Sequence, residues 1–416
     1  MLRTFGLVGL ALGAHALDNG VARKPPMGWM SWMYYTTDIS EDIVKGVADE
    51  LVAGGYAAAG FDYVCIDDGW STARDPATHE LVADPVKFPS GMAALAEYVH
   101  AKGLRFGMYA DVGSSTCGGY SGLGMDANLT SRQYVADVAT FAAWGVDALK
   151  VDGCNQSPAI MNVTYPALSD AINASGRPMW LSCSWPCYVG GCGGGPTKVA
   201  DDVYAVARAK CNTARDNNDI YDNIDSLYNI IGAYTKPAAI AKHAAANGPG
   251  FFADADMLAA GAGGLSIVEE TMQMAMWALF NSPLVMSNDL PRIAPASKQL
   301  LLNKELIAIN QDVTHPGSFN VTDAHTYCKN LAGGVIALAG LHQTSLGPPT
   351  NITLSPAPTA TSSRLSDCRL PEHAGVAAWA FRDVIRGVDL PAGASAACLA
   401  AQPGVCLLTA TPRKSA

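Results

Sequence analysis

Charge is scarce in this chain. Charged side chains make up 15% of its 416 residues, with 27 Lys and Arg against 37 Asp and Glu, for a net charge of −10. Lys and Arg form no cluster, which excludes the phosphate contacts that nucleic-acid binding needs, whereas a neutral substrate needs no steering field. Beyond the N-terminus no apolar run approaches the roughly 20 residues that cross a bilayer, so no membrane span is expected. No cysteines or histidines sit at zinc-ligand spacing, and His79-Glu80 lacks the second His of a metalloprotease helix. Neither a metal nor a cofactor is expected. A glycine-rich phosphate loop is also missing after the first apolar segment, Met27-Gly28-Trp29, which argues against an open nucleotide-binding sheet. No internal repeat stands out.

What is present begins with an address. Arg3, the short apolar run Phe5 to Gly13 and the small-x-small Ala14-His15-Ala16 read as a signal peptide over residues 1–16. Eleven cysteines are more than a cytosolic enzyme usually keeps. Sequons occur at Asn128, Asn162, Asn173, Asn320 and Asn351; Asn155 also matches, but Pro158 follows its Ser. Together these predict a glycosylated protein of the secretory pathway, extracellular or lysosomal/vacuolar.

Hydrophobic residues reach 49%, enough for a sizeable core. From about residue 21 to 308, short β-forming apolar runs end in polar or acidic residues and lead through a loop to a helical stretch. Phe61 to Ile66 ends in Asp67-Asp68, Leu104 to Ala110 in Asp111, Val146 to Val151 in Asp152, and Met179 to Cys183 in Ser184; Phe251 to Ala253 leads to Asp254 and Asp256, and Leu284 to Met286 to Asn288-Asp289. About eight such units predict a (β/α)8 barrel over residues 17–312, whose strand C-terminal ends carry the active site. After Asp312 the texture changes to short alternating runs, Val335 to Leu341, Val376 to Val384 and Val405 to Thr411, separated by Pro- and Ser-rich pieces. Residues 313–416 therefore read as an antiparallel β-sandwich domain.

Carboxylates crowd the predicted strand ends, and glycoside hydrolysis needs two carboxyl groups flanking the scissile bond. Lys150 and Asp152, two apart on a strand, share a face, and a nearby ammonium favours an ionised Asp152; a plain strand-end salt bridge is the alternative. Arg215 and Asp219 lie in a polar segment, Cys211 to Asp225, where Asp216, Asp222 and Asp225 read as solvated. Asp67 and Asp68 read as acceptors for sugar hydroxyls, and Trp32 as core or as an aromatic wall for a sugar ring.

These motifs resemble glycoside hydrolase family 27, the α-galactosidases and α-N-acetylgalactosaminidases. The resemblance rests on Pro26-Met27-Gly28-Trp29, Cys65-Ile66-Asp67-Asp68-Gly69-Trp70, Tyr109-Ala110-Asp111-Val112-Gly113, Trp144-Gly145-Val146-Asp147, Leu149-Lys150-Val151-Asp152-Gly153-Cys154, Pro283 to Leu290 and Ile307 to Asp312. It implies Asp152 as nucleophile of a retaining mechanism and Asp219 as general acid/base. It implies sugar contacts from Asp67, Asp68, Lys150, Arg215 and Asp256, a pocket lined by Trp32, Tyr109 and Met257, and disulfides Cys117–Cys154 and Cys183–Cys211. Mid-strand Cys65 is expected to be free, Cys187 and Cys192 could close a small loop, and Cys328, Cys368, Cys398 and Cys406 are expected to pair among themselves. Gly69 departs from relatives that have Cys there, and Phe252 to Asp256 departs from their aromatic-Asn-Asp-Pro-Asp pattern.

The implied activity is release of terminal α-linked galactose from a glycan or small glycoside; a homodimer stays open. In the family the loop after Cys183 reads the sugar's 2-position, so Ser184, Cys187 and Tyr188 are further substrate-binding candidates. Ser184 matches the N-acetylgalactosaminidases, and Cys187 replaces their small Ala, which makes α-N-acetylgalactosaminidase or dual activity the second reading. The third is an inactive sugar-binding barrel, which retention of both carboxylates argues against.

Overall fold

The computed structural model describes residues 17–190, 201–323, 326–342, 350–354, 373, 376, 378–391, 396–400 and 404–413. The signal-peptide segment 1–16 lies outside them. Eight parallel strands form one sheet: β1 (Met27–Met30), β2 (Tyr63–Cys65), β3 (Arg105–Asp111), β4 (Ala148–Asp152), β5 (Trp180–Cys183), β6 (Thr213–Arg215), β7 (Phe252–Asp254) and β8 (Leu284–Met286). Their order is β7-β6-β5-β4-β3-β2-β1-β8. A parallel bridge from Leu258 to Met286 joins the two edges, with Leu258 N donating to the Val285 carbonyl at 2.7 Å. The curled sheet thus closes as a (β/α)8 barrel. Its strands read as apolar runs because helices cover the outer face while side chains fill the inner one.

Glycines let neighbouring strands approach. A Cβ on Gly107 would meet Cys65 Sγ at 2.3 Å, so the buried Cys65 thiol occupies the place of that side chain. Cys65 is free. Burial pushes its thiol well above the ordinary range, which leaves it protonated and inert. Gly69 sits at φ +89°, where a Cβ would lie 2.8 Å from Thr37 Cβ. The backbone here has no room for the cysteine of relatives.

The helices show the expected local signals. In the helix Glu41–Ala53, the N-cap Ser40 hydroxyl accepts from Ile43 N. In Ile267–Phe280, Ser266 and Glu269 form a capping box. That helix is buried on every side from Met272 to Phe280, because it lies between the barrel and a second sheet.

The second sheet is antiparallel and six-stranded, in the order β14 (Val388–Asp389), β13 (Trp379–Asp383), β16 (Gly404–Pro412), β11 (Ile336–His342), β10 (Thr326–Asn330), β9 (Asn320–Asp323); β12 (Thr350–Leu354) and β15 (Ala396–Ala400) pair separately. Strand alternation divides its residues. Ala337, Ala339, Leu341 and Leu407 join the barrel's core, while Ile336, Leu338 and Leu408 build a smaller cluster on the other face. At the junction the buried Lys329 ammonium donates to the Ala278 carbonyl at 3.3 Å and to the Ile309 carbonyl. These carbonyls belong to the last turns of the helices Ile267–Phe280 and Lys304–Gln311, whose negative dipole ends suit a cation.

Disulfides Cys117–Cys154 and Cys183–Cys211 are present. Cys187, Cys328 and Cys406 are also disulfide-bonded; Cys192, Cys368 and the Cys398 side chain lie outside the described residues. Asn128, Asn162 and Asn173 are exposed and Asn320 is half-buried; the Asn351 side chain lies outside the described residues. Among the described residues no helix is long and apolar enough to cross a membrane.

Candidate active site

A cavity of about 520 Å³ opens at the C-terminal ends of the barrel strands. It gathers Trp32, Asp67, Asp68, Tyr109, Lys150, Asp152, Ser184, Cys187, Tyr188, Arg215, Asp219, Asp256 and Met257, which is every site residue expected from the sequence. The alternation of strands explains the convergence. A barrel strand directs every second residue inward, and the polar residue that ends each strand is the one nearest the mouth.

Asp152 ends β4. Its Oδ2 accepts from the Tyr109 hydroxyl at 2.9 Å, and its Oδ1 accepts from Ser184 Oγ. Both donors are buried. Desolvation and the nearby Asp152 carboxylate push the Tyr109 hydroxyl far above its ordinary range, so it remains a donor. The carboxylate is therefore held in one orientation by two neutral donors.

Lys150 shares the face of Asp152, but its direct partner is Asp67, at 2.7 Å. The alternative reading, a strand-end salt bridge between Lys150 and Asp152, is not the contact that forms, because the ammonium's ion pair is with Asp67. Burial works against the Lys150 charge, yet Asp67 and Asp152 outweigh it and hold the ammonium above its ordinary range. Burial raises the Asp67 carboxyl, with Lys150 opposing. Asp68 accepts from Gly118 N at 2.7 Å and Gly69 N at 2.8 Å.

On the opposite wall, Arg215 ends β6. Its Nη2 donates to Asp219 Oδ1 at 2.6 Å and lies 3.2 Å from Asp256 Oδ2. Burial works to raise the Asp219 carboxyl, but the guanidinium outweighs it and holds the group below its ordinary range. Asp256 adopts φ +76°, the left-handed region. An aspartate tolerates that backbone through local hydrogen bonds, and Asp256 Oδ1 accepts from Met257 N at 2.8 Å. Its Oδ2 accepts from Ile220 N at 3.0 Å. The departure from the family's pattern at 252–256 thus keeps the carboxylate in the cavity.

Three aspartates taken as solvated divide. Asp225 is exposed in the first turn of the helix Ile224–Tyr234. Asp216 is instead buried against His243, 2.9 Å away. Asp222 accepts from Gly264 N at 2.5 Å and Leu265 N at 3.1 Å. Asp216 corrects the expectation, because its partner lies on the helix Pro237–Ala246, whereas Asp222 stays half-exposed.

Sequence reasoning missed Asn218, Ile220 and Tyr221 as lining residues, and gave no role to Asp111 or Asp254. Asp254 lies beneath the floor, where burial, then Asp256, raises its carboxyl to about 6; its i, i+2 relation to Asp256 was the available signal. Asp111 ends β3 level with Asp152. Its carboxylate accepts from Gly113 N at 2.6 Å and Cys154 N at 2.9 Å, tying the strand end to the Cys117–Cys154 bridge. Asp111, Cys117 and Cys154 form the one metal-like grouping among the described residues, but the two sulfurs are spent in the disulfide and offer no thiolate.

Burial raises the Asp111 carboxyl to about 8, opposed by those two amides and reinforced by Asp152. The unfolded value is near 3.9. The native state therefore holds a proton that the unfolded state releases, and this stabilisation is complete below about pH 4 and lost as pH rises to about 8. At about 1.4 kcal/mol per unit, the loss is on the order of a few kcal/mol. Thermal melting is expected to fall by several degrees between pH 4.5 and pH 8, with Asp111→Asn flattening the slope. An equal slope in the variant excludes Asp111 as its source.

Residues 24–312 match the family described as Alpha galactosidase A, a melibiase family. The chain is 40% identical over 306 residues to an alpha-N-acetylgalactosaminidase of Gallus gallus, covering 71% of this chain and 72% of the relative. It is 37% identical over 360 residues to alpha-galactosidase A of Homo sapiens, covering 82% and 80%. The fold matches crystalline alpha-galactosidase I of Mortierella vinacea with a TM-score of 0.78 at 26% identity, over 96% of this chain and 100% of that one. The chain belongs to the melibiase family, glycoside hydrolase family 27, and is a glycoside hydrolase.

Proposed function

We propose that this protein is a retaining α-galactosidase, removing terminal α-linked galactose from oligosaccharides or glycoconjugates in the secretory pathway or a lysosome-like compartment. The observation that carries it is a single cavity holding the oriented Asp152 carboxylate and the Arg215-bound Asp219 carboxyl. Asp152 attacks the anomeric carbon while Asp219 gives its proton to the departing oxygen. Asp219 then takes a proton from water, which displaces Asp152 and restores the α-configuration. Asp67, Asp68, Lys150, Arg215 and Asp256 supply charged partners for the sugar hydroxyls, with Trp32 and Met257 as apolar walls.

A second activity is favoured by one specific feature. The loop that faces the 2-position carries the small Ser184, whose hydroxyl is turned onto Asp152. Cys187 is disulfide-bonded, and its sulfur lies 2.9 Å from the Asn217 carbonyl oxygen. Neither side chain has the bulk to exclude a 2-acetamido group, so the site is expected to accept α-N-acetylgalactosaminides as well. Parallel assays on aryl α-galactoside and aryl α-N-acetylgalactosaminide test both readings. Ser184→Glu with Cys187→Leu should shift the ratio of kcat/KM towards galactose by about 100-fold, since steric exclusion filters more strongly than a lost contact worth about 1–3 kcal/mol. No action on the acetamido substrate removes the second activity, and no action on the galactoside removes the first.

A further inference from the structure

The cavity divides into a buried floor and an exposed rim. Asp67, Asp68, Lys150, Asp152, Arg215 and Asp256 are each at most 9% exposed. The Asp219 side chain, by contrast, is 58% exposed. On the hydrolase reading above, on which this inference rests, the proton donor must touch the departing oxygen. The group attached to that oxygen therefore lies on the Asp219 side, at the mouth.

Tyr221 stands at that place. It lines the same cavity two residues beyond Asp219, and 61% of its surface is open to water. Its backbone is fixed. Tyr221 N donates to Ser226 Oγ at 2.9 Å, Ile220 N donates to Asp256, and the following Asp222 carboxylate is bound by two amides of the loop at 264–265. A large ring left in water on a tethered backbone adds little to the core. A tyrosine face carries partial negative charge, which matches the polarised C–H face of a pyranose ring.

We propose that Tyr221 is a specificity-determining platform for the leaving group, and that the preferred leaving group is a second sugar ring rather than a small alcohol. The departing saccharide lies with its apolar face on the Tyr221 ring, which orients its oxygen towards Asp219. A methyl leaving group covers little of the ring and gains little from it.

The test compares the full-length protein with Tyr221→Ala and Tyr221→Phe. The substrates are a methyl α-galactoside and a disaccharide with the same α-galactose linked to a second hexose, both followed by release of free galactose. For Tyr221→Ala, kcat/KM on the disaccharide is expected to fall about five- to tenfold further than on the methyl glycoside, mainly through KM, as for loss of one stacked ring contact. Tyr221→Phe keeps the ring and should restore the wild-type ratio. Equal losses on both substrates for Tyr221→Ala, or a Phe variant as selective against the disaccharide as the Ala variant, overturn the proposal. Wild-type protein that turns over neither glycoside removes the α-galactosidase reading itself and this inference with it.

Discussion

Asp152→Asn is expected to cut turnover by about 10⁴-fold or more while shifting thermal melting by no more than a few degrees. The two halves of that expectation come from the same contacts. The Tyr109 hydroxyl and Ser184 Oγ both donate to Asp152, and an amide oxygen can still accept one of them. Asparagine is also nearly isosteric, so the floor keeps its packing. Its amide nitrogen is not nucleophilic, and no other carboxylate is in its place: Asp67 is committed to Lys150, Asp68 to two backbone amides, and Asp256 to Ile220 N and Arg215. Asp152→Gly opens room beside the anomeric carbon, so added azide should rescue turnover and yield a β-galactosyl azide, the inverted product. A purified, folded Asp152→Asn protein that keeps a tenth of wild-type activity removes Asp152 from the nucleophile's role.

How much of this could be read beforehand depended on whether the signal was local. The strand ends were legible because each barrel strand is a short apolar run stopped by a polar residue; Leu284 to Met286 and the carboxylates after β2, β4 and β7 needed nothing more. β6 was not. Thr213-Ala214-Arg215 has no apolar run, and its burial arises from pairing with Ser182 and Asp254 in neighbouring strands. The helix Ile267–Phe280 reads as a helix from its own residues, but its cover on two sides depends on β11 and β16 of the second sheet, which come much later in the chain. Pair partners were the least legible. Lys150 and Asp152 share a face from their spacing alone, whereas the ion pair that forms is with Asp67, which the barrel brings from 83 residues away to within 2.7 Å of the ammonium. Asp216 looked solvated until His243 arrived from another helix. Tyr221 sat in the same polar stretch, and nothing in its immediate neighbours distinguishes a rim aromatic from a loop residue.

The second large effect is expected at Asp219, and it depends on the leaving group. Asp219→Ala should slow hydrolysis of an unactivated disaccharide by about 10³-fold, within the range usual for a positioned general acid. Aryl α-galactosides with acidic phenol leaving groups should lose far less at the first step, because such a group departs with little protonation. The pH dependence is expected to follow from Arg215. Its guanidinium, 2.6 Å from the carboxyl, holds Asp219 below the ordinary range, while the first step needs the proton present. The sign follows directly: as pH rises through that depressed value the acid loses its proton, so kcat/KM on the disaccharide should be highest in acid and decline towards pH 7. The same depressed value leaves Asp219 ionised after the proton has gone, ready to accept one from water in the second step. In Asp219→Ala that alkaline decline should disappear on an activated aryl substrate, and azide should accelerate turnover of the trapped glycosyl-enzyme. Equal losses on activated and unactivated substrates, or an unchanged pH profile in the variant, would exclude Asp219 as the acid.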